Sequence, residues 1–459
     1  MAERFEIVQK ALVKMLEDKK YTTLRDILVT MNPSDVAGLF EDLEEKQIPL
    51  MFRLLDKEQA AETFVEMDPD AQELLIRGFS DNELKEVLDE LYADDAADIV
   101  DEMPANVVKR ILKAADPELR SSINQILRYP DNTAGSIMTT EYVSLRPSMT
   151  VEESILRIRR QGVDKETIYT CYVLDKDRTL LGLVTVKDLL LADDDEMKIQ
   201  DLMITNMIFV TTKTDQEDVA RMFSKYNFLA LPVVDGENRM VGIVTFDDAM
   251  DVMEEEATED MELMGGMTPS EKPYLRSTPF DLFKNRIPWL MLMMVSATFT
   301  GLIMTAFEDA LAAQIALSAF IPMLMGTGGN SGAQSSVTVI RGLSLDELDF
   351  RDIGTILWKE VRTAFLCGIC LAIVCFVKIW LVDKLLMGNS NITLMVDMVV
   401  CLALAVTVVL AKLVGCMLPM GAKALKLDPA VMASPFISTI VDALSLLVYF
   451  LFAKALLGV

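Results

Sequence analysis

The chain of 459 residues contains no histidine. That absence excludes every His-based zinc site, every Ser-His triad and every HExxH protease. No GxxxxGK[ST] phosphate loop occurs, so a P-loop ATPase is excluded as well. No nucleophile–base pair stands out, and an enzyme is not expected. Cysteine is scarce: Cys171, Cys367, Cys370, Cys375, Cys401 and Cys416. All but Cys171 lie in long apolar segments, where Cys is a small hydrophobe. Cys367 and Cys370 form one C-x-x-C pair, a poor metal site without a second pair or a His. The opening, MAERFEIVQKALVKMLEDKK, is charged and amphipathic rather than a signal peptide. The first part of the chain is therefore expected in the cytosol.

Positive charge is also short, but only in one region. Residues 1–284 carry 59 acidic and 32 basic side chains, whereas residues 285–459 carry 11 of each. The formal net charge of −27 thus belongs to the first part. Such a surface repels nucleic acid and anionic lipid headgroups and attracts cations. No nucleic-acid partner is expected.

What the chain has instead is long apolar runs. In Pro429–Ala453, PAVMASPFISTIVDALSLLVYFLFA, the one side chain charged at neutral pH is Asp442, near the middle. The run is long enough to cross a hydrocarbon core of roughly 30 Å as a helix. A carboxylate at that depth costs about 2.5–3.5 kcal/mol on insertion scales, and it marks an ion or proton path. The bland reading is a lone Asp that hydrogen-bonds a neighbouring helix. Four further spans are expected near 287–307, 315–340, 363–382 and 392–418. The second is uncharged but interrupted by GTGGNSGAQSS. Unwound backbone at membrane depth is tolerated only where it is protein-buried or lines a water-filled cavity. Gly326, Gly328, Gly329, Asn330 and Gln334 are therefore pore-lining candidates, against a bland reading of close packing through small residues. With the acidic part inside, Arg341, Arg351, Lys359, Arg362, Lys412, Lys423 and Lys426 fall in cytosolic loops. Five spans then leave the C-terminus outside.

Ahead of the spans, residues 1–130 read as helix throughout, with apolar positions at helical spacing, as in Val36, Leu39, Phe40 and Leu43. AAETFVEMDPDAQELLI (60–76) resembles AADIVDEMPANVVKRIL (96–112), which suggests a small superhelical solenoid. Asp94 and Asp98 stand one turn apart there; read alone, they are ordinary solvated acids. From residue 136 the pattern changes. CYVLDKDRTLLGLVTVKDLL returns sixty residues later as LPVVDGENRMVGIVTFDDAM. This pair resembles tandem CBS domains, modules that bind adenosine nucleotides. The resemblance implies a ribose-holding role for Asp188 and Asp248, although Thr-x-x-Asp is equally a helix cap. The following tract crowds Asp248, Asp251, Glu256, Glu259 and Asp260, a solvated face or a set of oxygen ligands for a hard cation.

RIPWL (286–290), PMLMGTGGNSGAQS (322–335) and LDPA (427–430) followed by Asp442 together resemble the MgtE family of magnesium channels or transporters. The resemblance implies a multidomain α, α/β and membrane-α chain. An acidic helical domain covers 1–130, tandem CBS domains 136–256, a connecting plug helix 257–284 and five transmembrane helices 285–459. It implies a plasma-membrane homodimer that takes up Mg²⁺, with ATP or another adenosine nucleotide as regulator. It carries pore ion-binding roles to Asp442 and Asp428. It carries inhibitory cytosolic Mg²⁺ sites to Asp94, Asp98, Asp215, Glu217, Asp248, Asp251, Glu256, Glu259 and Asp260. The family usually has Asn where Ala333 and Ser434 stand, which bears on pore hydration. The rival readings are a carrier of Co²⁺, Mn²⁺ or Ca²⁺, and a non-conducting membrane sensor of Mg²⁺ or nucleotide.

Overall fold

The computed structural model describes residues 2–40, 43–270, 274, 277–345, 347–386, 388, 392–432 and 434–458. The side chain of Ser434 lies outside the described residues, and so does the expectation attached to it. Two compact units form, Met1–Met253 and Glu254–Val459.

The first unit begins with ten described helices, α1 (Ala2–Glu17) through α10 (Pro117–Ile126). Sequence punctuation explains their starts. Asp68 and Asp116 cap two of them, each followed by a proline at the first helical position. There the missing N–H costs nothing, because the first four amides of a helix have no internal partner. The helices bury a common core in which the rings of Phe52 and Phe79 lie 5.4 Å apart, with Phe40 and Phe64 beside Phe52.

Two three-stranded sheets follow, built alike. In the first, β1 (Tyr142–Leu145) runs parallel to β2 (Thr167–Leu174), and β3 (Leu180–Thr185) returns antiparallel. Helix α11 (Val151–Gln161) makes the crossover and α12 (Val186–Leu190) leaves β3. After α13 (Ile199–Leu202), the second sheet repeats this with β4 (Val210–Thr211), α14 (Gln216–Tyr226), β5 (Ala230–Val234) and β6 (Met240–Thr245). The sixty-residue sequence repeat appears as register: Thr170 faces Thr185 as Ala230 faces Thr245. The acidic tract is no separate connector. It belongs to one helix, α15 (Phe246–Met264), which starts directly from β6.

The second unit contains α16 (Pro279–Ala306), the short α17 (Glu308–Ala313), α18 (Ile321–Ser344), α19 (Ile353–Lys378), α20 (Leu394–Ala424) and α21 (Ser434–Leu457). Among the described residues, four segments are long and apolar enough to cross a membrane: Pro279–Ala306, Phe350–Leu386, Leu394–Ala424 and Pro429–Leu457. Helix α18 has 24 residues, about 36 Å at 1.5 Å per residue, but glycine and polar side chains dilute its hydropathy. It packs against α20 and α21, and α16 rests on α21.

The glycine tract corrects the sequence reading. Helix α18 is continuous from Ile321 to Ser344, with no unwound segment. The reason is packing. A Cβ on Gly332 would stand 2.7 Å from Ile437 Cγ2, and one on Gly415 would strike the Gly332 carbonyl. Small residues let three helix backbones approach closely, as they do where lipid supplies no hydrophobic drive.

Candidate ion path and metal sites

Asp442 projects from the middle of α21 and is half-buried. No described residue makes a hydrogen bond or ion pair with it. The bland role of glue to a neighbouring helix is therefore not played within this chain. Helix α21 lies antiparallel to α18: a Cβ on Gly332 would touch Ile437, one on Gly329 Ser438, and one on Gly328 Val441 and Ser445. Asp442 lies one turn beyond Ser438 on α21, next to Val441, which meets Gly328. The five glycine-tract candidates divide. Gly328 and Gly329 are buried packing positions, whereas Gly326, Asn330 and Gln334 are exposed at four-residue intervals on one face. Ala333 is half-buried.

A second polar group in this unit escaped the sequence reading. Lys412, expected in a cytosolic loop, lies inside α20 and is 5% exposed. Its Nζ donates to Ser335 Oγ at 3.2 Å, and Ser335 Oγ donates to Glu360 Oε2 at 2.7 Å. The chain thus ties α20, α18 and α19 with a cation, a hydroxyl and a carboxylate. The error came from charge itself, because a lysine near the end of an apolar run looks like a flank.

In the first unit, α8 (Ala93–Glu102) separates the two acids that share its sequence motif. Asp98 is exposed, but Asp94 is 6% exposed, with Oδ1 buried and unpaired. Solvation does not explain Asp94. Burial, then the charge of Asp248, then Asp95 and Glu166, push its carboxyl well above the ordinary range. Burial and the charges of Asp248 and Asp247 bring Asp95 to about 7. Glu166 reaches about 8, through burial first and Asp95 next, and its Oε2 is also buried without a partner. Asp248 rises to about 6 through burial, although the Thr245 hydroxyl opposes the shift by donating to its Oδ2 at 2.5 Å. Asp95 and Glu166 were not singled out in the sequence. Asp95 adjoins Asp94 in a visible acidic run, but nothing near Glu166 signals its role.

This donor set suits a hard divalent cation, which takes carboxylate oxygens. Among the described residues, no three acids, cysteines or histidines stand close enough to enclose an ion. Mg²⁺ does not need that, since it keeps several waters and uses one or two carboxylates.

The other acidic candidates are spread more widely. Asp215 caps α14 by accepting from the Glu217 amide at 3.0 Å, and Glu217 pairs with Arg221. Asp251 is exposed and Glu256 half-buried on α15. In the second unit, burial and then Asp428 raise the Glu259 carboxyl, with Asp260 adding to it. Asp260 Oδ2 accepts from Ser344 Oγ at 3.2 Å, and Asp428 Oδ1 accepts from the Ala430 amide at 2.7 Å. The end of α15 therefore meets the end of α18 and the start of the Asp442 segment. Asp188 closes the cap of α12, accepting from Thr185 Oγ1 at 2.6 Å.

Residues 321–452 match the family of divalent cation transporters designated MgtE, and residues 31–132 match the MgtE intracellular N domain. Residues 134–195 and 199–255 each match the CBS domain. The magnesium transporter MgtE of Thermus thermophilus is 36% identical over 451 residues, covering 97% of this chain and 98% of that protein. Its counterpart in Bacillus subtilis is 31% identical, covering 98% and 97%. A crystal structure of the cytosolic domain of the Mg²⁺ channel MgtE in complex with ATP is 37% identical in sequence. It aligns with 53% of this chain and 99% of its own, with a TM-score of 0.51.

Proposed function

The chain belongs to the MgtE family of divalent cation transporters, and from that premise we propose that it conducts Mg²⁺ past Asp442. It is a multi-pass membrane protein, with several helices apolar enough to span a bilayer. The observation that carries the proposal is the half-buried, unpartnered Asp442 beside an exposed polar face on α18. Asn330 and Gln334 do not belong against lipid, where polar groups need partners. A second copy of the chain set against this face would enclose a wet path, with one Asp442 from each side. Two carboxylates match an ion that travels with most of its water. The proposed assembly is a homodimer, with the first unit in the cytosol and the C-terminus outside.

Cytosolic Mg²⁺ is proposed to close this path. Without it, the buried acids around Asp94 and Asp248 repel one another; with it, they are bridged. Helix α15 starts beside Asp248 and ends beside Asp428, so it is a continuous link between regulation and path. An adenosine nucleotide is proposed at the Thr185–Asp188 turn, supported by the ATP in the related cytosolic-domain structure. Magnesium is preferred over Co²⁺, Mn²⁺ or Ca²⁺, and transport over a non-conducting sensor, because the full-length relatives are magnesium transporters. Uptake by purified protein in liposomes tests this directly. Mg²⁺ entry exceeding that of the three competitors is expected; no Mg²⁺ entry would reject it.

A further inference from the structure

The first unit, for all its negative charge, contains one strongly basic cavity. Its volume is about 480 Å³, and Arg146, Arg157, Arg160, Lys165 and Arg178 line it against one carboxylate, Asp175. Three separate elements supply the cations: Arg146 follows β1, Arg157 and Arg160 lie on α11, and Arg178 is in the β2–β3 turn. None of the five forms an ion pair with a described residue. Arg157 Nε is buried without a hydrogen-bond partner. Asp175, whose Oδ1 accepts from the amides of Asp177 and Thr179, offsets only one of the five positive charges.

A basic last turn that offsets the helix dipole is the ordinary explanation for Arg160 on α11. It does not reach Arg146 or Arg178. Arg178 holds φ at +66°, as Asn238 does at +59° in the second repeat, so the turn itself sets that backbone conformation. Its Nη2 donates to Tyr142 Oη at 3.0 Å, and Arg146 Nη1 donates to the Asp175 carbonyl at 3.2 Å, which fixes both at the rim.

The second repeat offers a comparison within the same fold. Alignment of the helix caps Thr150 and Asp215, and of the turn acids Asp175 and Asp235, puts Thr211 at the place of Arg146. It puts Met222 at Arg157 and Asn238 at Arg178, while Lys225 keeps a cation at the place of Arg160. The arginine nearest that turn, Arg239, is paired with Asp235 and Glu237. The folding of the repeat therefore does not require Arg146, Arg157 or Arg178.

We propose that this cavity is a second ligand site of the first CBS domain, for a small anion carrying two or more linked phosphates. The volume falls within the roughly 300–1,000 Å³ of small-molecule sites. Guanidinium forks from several directions suit phosphate oxygens. One phosphate would leave most of the positive charge unmatched. The cavity is distinct from the turn at Asp188. Thr170 and Thr185 share one end of the β2–β3 ladder, next to Asp188, whereas Leu174, Asp175 and Arg178 lie at the other.

The test is calorimetry on the full-length protein in detergent with EDTA, using pyrophosphate, ATP and AMP as probes. Pyrophosphate binds the wild type. Arg157→Gln with Arg160→Gln weakens it by about a hundredfold, roughly tenfold for each charged hydrogen-bonding partner lost. AMP binding stays unchanged in that variant, which also shows that it is folded. Arg146→Thr, an exposed change to the residue of the second repeat, weakens pyrophosphate about tenfold. Asp188→Asn weakens AMP and leaves pyrophosphate alone. In that last variant, ATP that displaces pyrophosphate assigns the site to nucleotides, and ATP that does not assigns it to inorganic polyphosphate. Wild type that gives no heat with pyrophosphate, AMP that competes with it, or arginine variants that bind it normally would each overturn the proposal.

Discussion

Single residues divide between those whose chemistry shows in the sequence and those that only burial reveals. Asp442 shows because a charge in an apolar run has no cheap explanation. Asp94 is misread, because two acids a turn apart on a helix look like a wet face, and only the fold buries one of them. Glu166 leaves no trace, since its neighbours come from distant segments. These raised acids should make the proposed Mg²⁺ binding pH-dependent. With folded values of about 6 for Asp248, 7 for Asp95 and 8 for Glu166, the apo protein holds protons that its unfolded chain has released. Stability without Mg²⁺ therefore falls as pH rises from the ordinary carboxylate range to about 8, where the folded acids have all ionised. Mg²⁺ must displace those protons. Titrations of the full-length protein at pH 6 and pH 8 should show tighter binding at pH 8, with proton release largest in between. A pH-independent affinity would remove these acids from the site. At Gly332 the expectation is steric. Gly332→Val should lower the thermal stability of the detergent-solubilised protein by about 1–3 kcal/mol, the usual cost of overpacking. Gly326→Ala, which meets nothing within 4 Å, should not lower it and should raise it by up to about 1 kcal/mol as the helix cost of glycine is removed.

Among elements, β2, β3, β5 and β6 are legible because the repeated pattern of apolar strand, turn and Thr-x-x-Asp occurs twice. The short β1 and β4 are missed, as four- and two-residue strands carry too little pattern. The apolar helices are legible from length. Helix α18 is legible as a segment but not as a continuous helix, because glycine raises the local cost of helix by about 1 kcal/mol per residue. Packing against α20 and α21 outweighs that cost, and the partners are remote in sequence. The tie between α18, α19 and α20 through Lys412, Ser335 and Glu360 has its own test. Lys412→Met should destabilise the protein, and adding Glu360→Gln should restore part of the loss. A double-mutant cycle should give about 0.5–3 kcal/mol of coupling, the range for residues in one network. Strict additivity would mean that the lysine acts alone.

For the whole molecule, composition separates the acidic part from the neutral one, and the boundary between the compact units falls within the acidic run of α15. The proposed closure by Mg²⁺ rests on this layout. Each site is worth only about 1–3 kcal/mol of coupling, so several acting together are needed for a steep response. Neutralising Asp248, Asp251, Glu259 and Asp260 together should leave patch-clamp current at cytosolic Mg²⁺ that silences the wild type. Identical inhibition curves would return those acids to a solvated face. The path itself is the central claim, and Asp442→Asn tests it most directly, since the change keeps the shape and removes the charge. Mg²⁺ flux should be compared in liposomes holding equal amounts of folded wild type and variant. Near-complete loss of flux with an unchanged assembly is the predicted result; wild-type flux and selectivity in the Asp442→Asn variant would contradict it.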